Sequence, residues 1–343
     1  MSLLKVENLS VRFPVRRGFM KPKGYLRAVD DVSFTVERGR TLAIVGESGS
    51  GKTTAALAVA RLVPIHSGTV HLDGDELTAL EGEGLRKARA NLQFIFQDPY
   101  SSLNPRLRAE AIVREPLVNT GTVPKSEHEA IVDRLFAAVG LRPEQKRLFP
   151  HQFSGGQRQR LGIARALTTQ PKLIVCDEAV SALDVAVQAQ ILNLLRRLQR
   201  EFDLTYLFIS HDLGVVQHMC DDVAVMYMGK VVERGSRAQL FSNPLHPYTV
   251  ALLSAVPRIE KSIDTDGAAR SRRKRMLIPG DPIDPVDPPP GCRFANRCPV
   301  AQSRCRTDPP PLVPRSNGQH VACHLVPDDP ISPVADEAEA VMA

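Results

Sequence analysis

Nowhere do the 343 residues hold the run of roughly twenty apolar side chains that a bilayer-spanning helix requires. The N-terminus, with Lys5 and Glu7 among its first residues, also lacks the apolar block of a secretory signal. The chain is therefore expected to stay in the cytosol. Internal repeats and sustained heptads are missing too, which argues against solenoids and long coiled-coil arms. Six cysteines are present, yet none falls in a Cys-x2-Cys pair, the common zinc spacing. Without an export signal they read as free thiols or metal ligands in preference to disulfides. Charge of one sign is only modestly in excess: 44 Lys and Arg against 38 Asp and Glu leave +6, which suits polyphosphate, an anionic membrane surface or nucleic acid alike. With 43% hydrophobic and 24% charged residues there is ample material for a core.

Short strands are predicted over Leu3–Val11, Val29–Val36 and Thr41–Val45, with Pro14–Gly24 as a basic loop between the first two. A helix follows Gly51, and strands recur at Gly68–Leu72 and Leu92–Phe96. From Arg108 to Leu148 apolar residues return at helical spacing, suggesting a helical insert between two parts of a sheet. Further strands are predicted at Leu173–Cys176, Thr205–Ile209, Val223–Tyr227 and Lys230–Glu233, with helices at Asp184–Glu201 and Leu213–Met219 between them. Such alternation implies an α/β fold with a mostly parallel sheet covered by helices. Past Pro257 the chain becomes rich in proline and poor in apolar periodicity, and its last fifteen residues are acidic and small, as in disordered tails.

The strongest single signal is Gly46-Glu47-Ser48-Gly49-Ser50-Gly51-Lys52-Thr53, lying directly after an apolar strand and before a helix that continues with Thr54. Glycines let backbone N–H groups converge on phosphate oxygens, the helix N-terminus adds partial positive charge, and Lys52 adds a full one. Thr53 is placed to offer its hydroxyl to Mg²⁺. A second site ends the apolar run Leu173-Ile-Val-Cys: Asp177 as a Mg²⁺ partner, and Glu178 as a base for water attacking the γ-phosphate.

Between these elements stands Phe153-Ser154-Gly155-Gly156-Gln157, opening another helix. It closely resembles the signature sequence of ABC-transporter ATPases, in the expected chain order. The resemblance implies a P-loop NTPase fold with antiparallel N-terminal strands and a helical subdomain at about 98–168 in an ATPase domain spanning 1–257. Three more features take family roles by resemblance: Gln97 on Mg²⁺ and the attacking water, Ser181-Ala-Leu-Asp184 as the loop that communicates across the interface of two ATPases, and His211 on the γ-phosphate. Phe13, at the end of the first strand, is placed to stack on adenine, with Tyr25 on the other side of the insertion as its rival. Ala179 stands where the family usually has proline, implying altered loop rigidity with catalysis retained.

The same resemblance implies a sandwich dimer, with ATP held between the phosphate loop of one subunit and the Ser154 region of the other. Gln97-Asp-Pro-Tyr-Ser-Ser-Leu-Asn-Pro105 and Asn243-Pro-Leu-His246-Pro247-Tyr248 resemble the dipeptide/oligopeptide importer ATPases, a group that also includes nickel, opine and glutathione importers. Its members work on the cytoplasmic face of the bacterial inner membrane with a second, paralogous ATPase, two permease subunits and an extracytoplasmic solute-binding protein; nucleic acid is not expected as a partner. A soluble ABC ATPase without a membrane partner is the alternative. In the segment 258–327, Cys292, Cys298, Cys305 and Cys323 could close an iron–sulfur cluster or a tetrahedral zinc site, or stay unligated; His320 and His324 flank the last. Spacing leaves this open, and similarity to the peptide-importer group tilts it to [4Fe–4S]. The basic run Arg270–Arg275 reads as a solvated linker or a contact with anionic lipid.

Overall fold

The computed structural model describes residues 2–15, 24–121, 123–255, 286 and 288–326. The basic run Arg270–Arg275, most of the Pro14–Gly24 insertion and the tail beyond residue 326 lie outside the described residues.

The chain begins with a long hairpin, β1 (Ser2–Val15) and β2 (Gly24–Glu37), paired antiparallel out to Val15 opposite Gly24. Pro14, Val15 and Gly24 are therefore strand, where a loop was expected. The reason is period-2 alternation: Val11, Phe13 and Val15 share one face, and pairing continues as long as that pattern does. Next come β3 (Thr41–Val45), α1 (Lys52–Val59), β4 (Ser67–Leu72), β5 (Asp75–Glu76), α2 (Gly82–Ala90) and β6 (Leu92–Ile95). The predicted helical insert is α3 (Ala109–Thr120) and α4 (His128–Val139), followed by α5 (Gly155–Leu167). The rest of the body alternates: β7 (Leu173–Asp177), α6 (Val185–Phe202), β8 (Thr205–Ser210), α7 (Leu213–Met219), β9 (Asp222–Tyr227), β10 (Lys230–Ser236), α8 (Arg237–Ser242) and α9 (Pro247–Ser254). The C-terminal segment adds α10 (Ser303–Thr307), β11 (Val313–Pro314) and β12 (His320–Val321).

Two sheets result. One is antiparallel, ordered β2-β1-β4-β5; the other runs β11-β12-β10-β9-β3-β8-β7-β6, and its β9-β3-β8-β7-β6 portion is parallel. Side-chain alternation along the parallel strands divides the apolar residues between two cores. Leu42 and Ile44 of β3, with Val175 and Leu207, pack toward the antiparallel sheet and α1. Ala43 and Val45, with Cys176, Phe208 and Tyr227, pack toward α3–α6.

Past the body, the Cys/Pro-rich segment takes its apolar core from the ATPase rather than making one. Phe294 joins the second core beside Tyr227 and Tyr248, at centroid distances of 5.3 and 5.4 Å. β12 extends the main sheet by pairing with β10, Val321 opposite Glu233. Gln319 donates to the buried Glu233 carboxylate, which also accepts the backbone N–H groups of Leu245 and His246. Three donors satisfy the carboxylate, although burial still raises its pKa.

Candidate functional site: the carboxyl edge of the parallel sheet

Strands β3, β6, β7 and β8 run parallel and end on one edge, and the residues that follow each of them carry the candidate chemistry. After β3 comes the phosphate loop. A Cβ on Gly51, whose φ is +99°, would lie 2.1 Å from the carbonyl oxygen of Ala28; on Gly46 it would lie 2.1 Å from that of Met226. Only glycine lets the loop sit this close to its neighbours, and the closeness fixes where its N–H groups point. The loop crest, Ser48 and Gly49, is exposed, and Ser50 is buried. Gly229 in the turn after β9 donates its N–H to the Ser50 carbonyl at 2.8 Å, bracing the loop from outside.

Lys52 turns its ammonium back onto the loop, donating to the carbonyls of Gly46 (2.9 Å) and Glu47 (2.8 Å). Burial lowers its pKa, opposed by the nearby carboxylates Glu178, Asp177 and Glu47. A buried cation at the centre of a ring of loop groups is prepared for an anion. Thr53 Oγ1 donates to Asp177 Oδ1 at 3.0 Å, and burial raises the Asp177 pKa, with Glu178 adding to that rise and the Thr53 hydroxyl and Lys52 opposing it. A desolvated carboxylate beside a hydroxyl, with two carboxylates adjacent in sequence, is the donor set a hard divalent cation favours. The residues present therefore fit Mg²⁺.

Glu178 follows β7 in the left-handed region, φ +46°, while its N–H bonds the Ile209 carbonyl at 3.0 Å. That kink turns the side chain away from the strand and into a clamp. Gln97, after β6, donates Nε2 to Glu178 Oε2 at 2.9 Å; His211, after β8, places Nδ1 3.0 Å from Oε1. A carboxylate only accepts, so in this contact His211 donates through Nδ1. Lys52, Thr53, Asp177, Glu178, Gln97 and His211 are thus gathered at one edge.

Ser154 and Gln157 lie elsewhere. They form a reciprocal capping box at the start of α5: Ser154 Oγ accepts the Gln157 N–H (3.3 Å) and Gln157 Oε1 accepts the Ser154 N–H (3.0 Å). Among the described residues none of these bonds reaches the phosphate loop. Gly156 packs against α6, where an added Cβ would stand 2.6 Å from Val187 Cγ1. Asp184 caps α6, accepting the Val187 N–H at 2.9 Å. The adenine candidates are adjacent on the hairpin: Phe13 packs against the first core, while Tyr25 is 54% exposed.

The chain is similar to known proteins in both sequence and fold. Residues 29–181 match the ABC transporter family model, and residues 232–305 match the model for the oligopeptide/dipeptide transporter C-terminal region. The oligopeptide transport ATP-binding protein AppF of Bacillus subtilis is 47% identical over 94% of this chain and 97% of its own. The chain belongs to the ABC transporter ATP-binding family. Within it, the dipeptide transport ATP-binding protein DppF of Escherichia coli is 43% identical, over 95% of both chains. Among solved structures, cbiO1 of Clostridium perfringens, part of the cbiONQ ABC transporter complex, aligns with a TM-score of 0.61 at 28% identity, over 70% of this chain and 91% of that one. A dimeric ATP-binding cassette in a post-hydrolysis state, bound to ADP and Pi, aligns with a TM-score of 0.60 at 27% identity, over 68% of this chain and 98% of that one. As a family member the chain is an ATP-hydrolysing transport subunit.

The ABC ATPase carries a second cluster. Cys292, Cys298, Cys305 and Cys323 all line one small cavity, together with His246 and His324. Backbone contacts draw them in: the Cys292 N–H donates to the Cys305 carbonyl at 2.7 Å, and a Cβ on Gly291 would come within 2.3 Å of that same oxygen. Yet among the described residues no three His, Cys, Asp or Glu side chains are grouped so as to hold a single metal ion. Burial raises the Cys292 thiol to about 11 and also raises Cys298 and Cys323. His324 Nε2 faces the Asp308 carbonyl at 2.9 Å. Cys176 and Cys220 are buried in the body.

Sequence reading missed Arg293, Arg297 and the role of Tyr248. Arg297 donates to Glu47 of the phosphate loop at 2.8 Å, and Tyr248 Oη accepts the Glu47 N–H at 2.8 Å. The available signal was two arginines in a short Cys-bounded stretch without acids of its own, whose partners had to lie elsewhere.

Proposed function

We propose that the chain is the ATP-hydrolysing motor subunit of a bacterial importer of dipeptides or oligopeptides. The observation carrying this reading is the Glu178 carboxylate, held between Gln97 and His211 beside a phosphate loop and the Thr53–Asp177 pair. Loop N–H groups and Lys52 hold the phosphates, and Lys52 exchanges its carbonyl partners for phosphate oxygens. Thr53, Asp177 and Gln97 would hold Mg²⁺, which when bound neutralises charge on the β- and γ-phosphate oxygens. Glu178 accepts the proton of the attacking water, and His211 orients Glu178 and meets the γ-phosphate. Tyr25, exposed at the hairpin edge, is favoured over Phe13 for stacking on adenine.

Ser154, Gly155, Gly156 and Gln157 serve a nucleotide on a second subunit. Their helix N-terminus is capped internally, and Ser154 is exposed. The partner is a paralogue, and the pair drives two permease subunits fed by an extracytoplasmic binding protein, at the cytoplasmic face of the inner membrane. Residues 1–257 form the ATPase domain, with a helical subdomain at about 98–168. Residues 258–327 form the Cys/Pro-rich segment, and 328–343 its tail.

The four tail cysteines hold a [4Fe–4S] cluster. All four thiols line one common cavity, as four-thiolate ligation of a cluster would require. Such a cluster would supply a covalent brace among segments that pack little apolar surface of their own.

The test is reconstitution in lipid with the paralogue, the permeases and the binding protein. ATP turnover that rises with a bound peptide supports the reading. Turnover without any co-purifying membrane protein would favour a soluble ABC ATPase, and rescue by nickel, opine or glutathione in place of peptide would change the cargo.

A further inference from the structure

Glu47 of the phosphate loop is gripped from two directions by residues beside the cysteine-lined cavity. Its N–H donates to Tyr248 Oη at 2.8 Å, and its two carboxylate oxygens accept from Arg297 at 2.8 and 3.4 Å. Tyr248 directly follows His246 and Pro247, which line the cavity; Arg297 directly precedes Cys298, which also lines it. Phe294 fills the space between, 5.3 Å from the Tyr227 ring and 5.4 Å from that of Tyr248.

The same turn reaches the loop's other side. Arg293 donates to the Met228 carbonyl and to Asp30, and the next residue, Gly229, donates to the Ser50 carbonyl of the loop at 2.8 Å. Residues 292–298 therefore carry a cavity cysteine at each end and two arginines between them, one on the loop and one on its brace. The Arg297 side chain is only 9% exposed, so solvent screens its bond to Glu47 poorly and its fork geometry is held.

We infer that Arg297 is a positioning residue for the phosphate loop, and that through it the closure of the cysteine-lined cavity and the affinity for nucleotide are linked. This rests on the nucleotide-binding reading of that loop. The loop works by converging N–H groups on phosphate, and pinning Glu47 at both backbone and side chain fixes the direction of that convergence. Opening the cavity moves the 292–298 turn, draws Arg297 off Glu47 and loosens the loop. Linkage between two sites is reciprocal, so nucleotide on the loop must resist opening of the cavity by the same factor.

The test uses the full chain as purified anaerobically, treated with iodoacetamide with and without saturating Mg-ATPγS. Modification of Cys292 and Cys298 is followed by peptide mass spectrometry, and nucleotide binding is measured on the same samples by calorimetry. Nucleotide is expected to slow alkylation of both cysteines roughly fivefold or more. Arg297→Gln is expected to remove that protection and to weaken nucleotide binding by a similar factor, and Arg297→Lys to restore part of both. If Arg297→Gln loosened the whole fold, the buried Cys176 and Cys220 would react as well; Glu47→Gln, which cuts the same bond from the loop side, then decides, and must also remove the protection. Equal protection in the wild type and both variants overturns the inference, as does nucleotide binding without protection. A wild type that binds no nucleotide would overturn the phosphate-loop reading, and the inference with it.

Discussion

His211 Nδ1 lies 3.0 Å from Glu178 Oε1, while the other oxygen of that carboxylate accepts from Gln97. Both oxygens are engaged, so the carboxylate is oriented, and to act as the proposed base it must exchange one partner for water. Glu178→Gln is expected to bind ATP as the wild type does and to hydrolyse it about 10²- to 10⁴-fold more slowly. His211→Ala leaves Glu178 held on one side only and is expected to cost about 10²-fold in kcat with a small change in KM. Steady-state phosphate release checks both; a Glu178→Gln protein with wild-type turnover would place the base elsewhere.

Burial raises the pKa of Asp177, so the apo protein holds that proton to higher pH than an ordinary aspartate does. An acid with a raised folded-state pKa binds more protons folded than unfolded. Ionising Asp177 therefore costs the apo fold stability as pH rises through the interval between the unfolded and folded values. A cation at Thr53 and Asp177 removes that cost. The thermal shift produced by Mg-nucleotide is expected to shrink as pH falls through that interval, and Asp177→Asn is expected to flatten the dependence.

Gly156 meets Val187 so closely that an added Cβ would stand 2.6 Å from a methyl group on a stiff, β-branched side chain. Gly156→Ala is expected to destabilise the chain by about 1–3 kcal/mol, through strain where α5 meets α6. Val187→Ala in the same chain should recover most of that loss. Denaturant unfolding of the two singles and the double measures the coupling.

Anaerobically purified chain is expected to carry about four irons and about four sulfides, lost together on Cys298→Ser. A single zinc, or no metal, would leave the nucleotide site untouched and remove the cluster.

The phosphate loop was legible because its chemistry is local: eight consecutive residues, a strand before and a helix after, contain the whole device. Asp177 and Glu178 were legible as the acidic end of an apolar run, and the parallel sheet from the spacing of such runs. What could not be read depends on partners far apart in sequence. Arg297 and Glu47 are 250 positions apart, and neither segment signals the other. The tail's poor apolar periodicity suggested a unit needing its own staple, whereas Phe294 and Val321 bury themselves in the ATPase core and sheet. The capping roles of Ser154 and Asp184 follow from ordinary helix rules, but these bonds leave open which face meets a second subunit. The hairpin extends to Val15 because alternation persists through Pro14, a residue that reads locally as a break.

The most direct measurement is ATP hydrolysis by the chain in proteoliposomes with its paralogue, permeases and binding protein, with and without peptide, beside the Glu178→Gln variant. Peptide-stimulated phosphate release and peptide uptake, both lost in the variant while ATP binding is kept, are the expected result. Uptake that continues in Glu178→Gln, or hydrolysis indifferent to peptide and permeases, would contradict an importer motor built on this edge of the sheet.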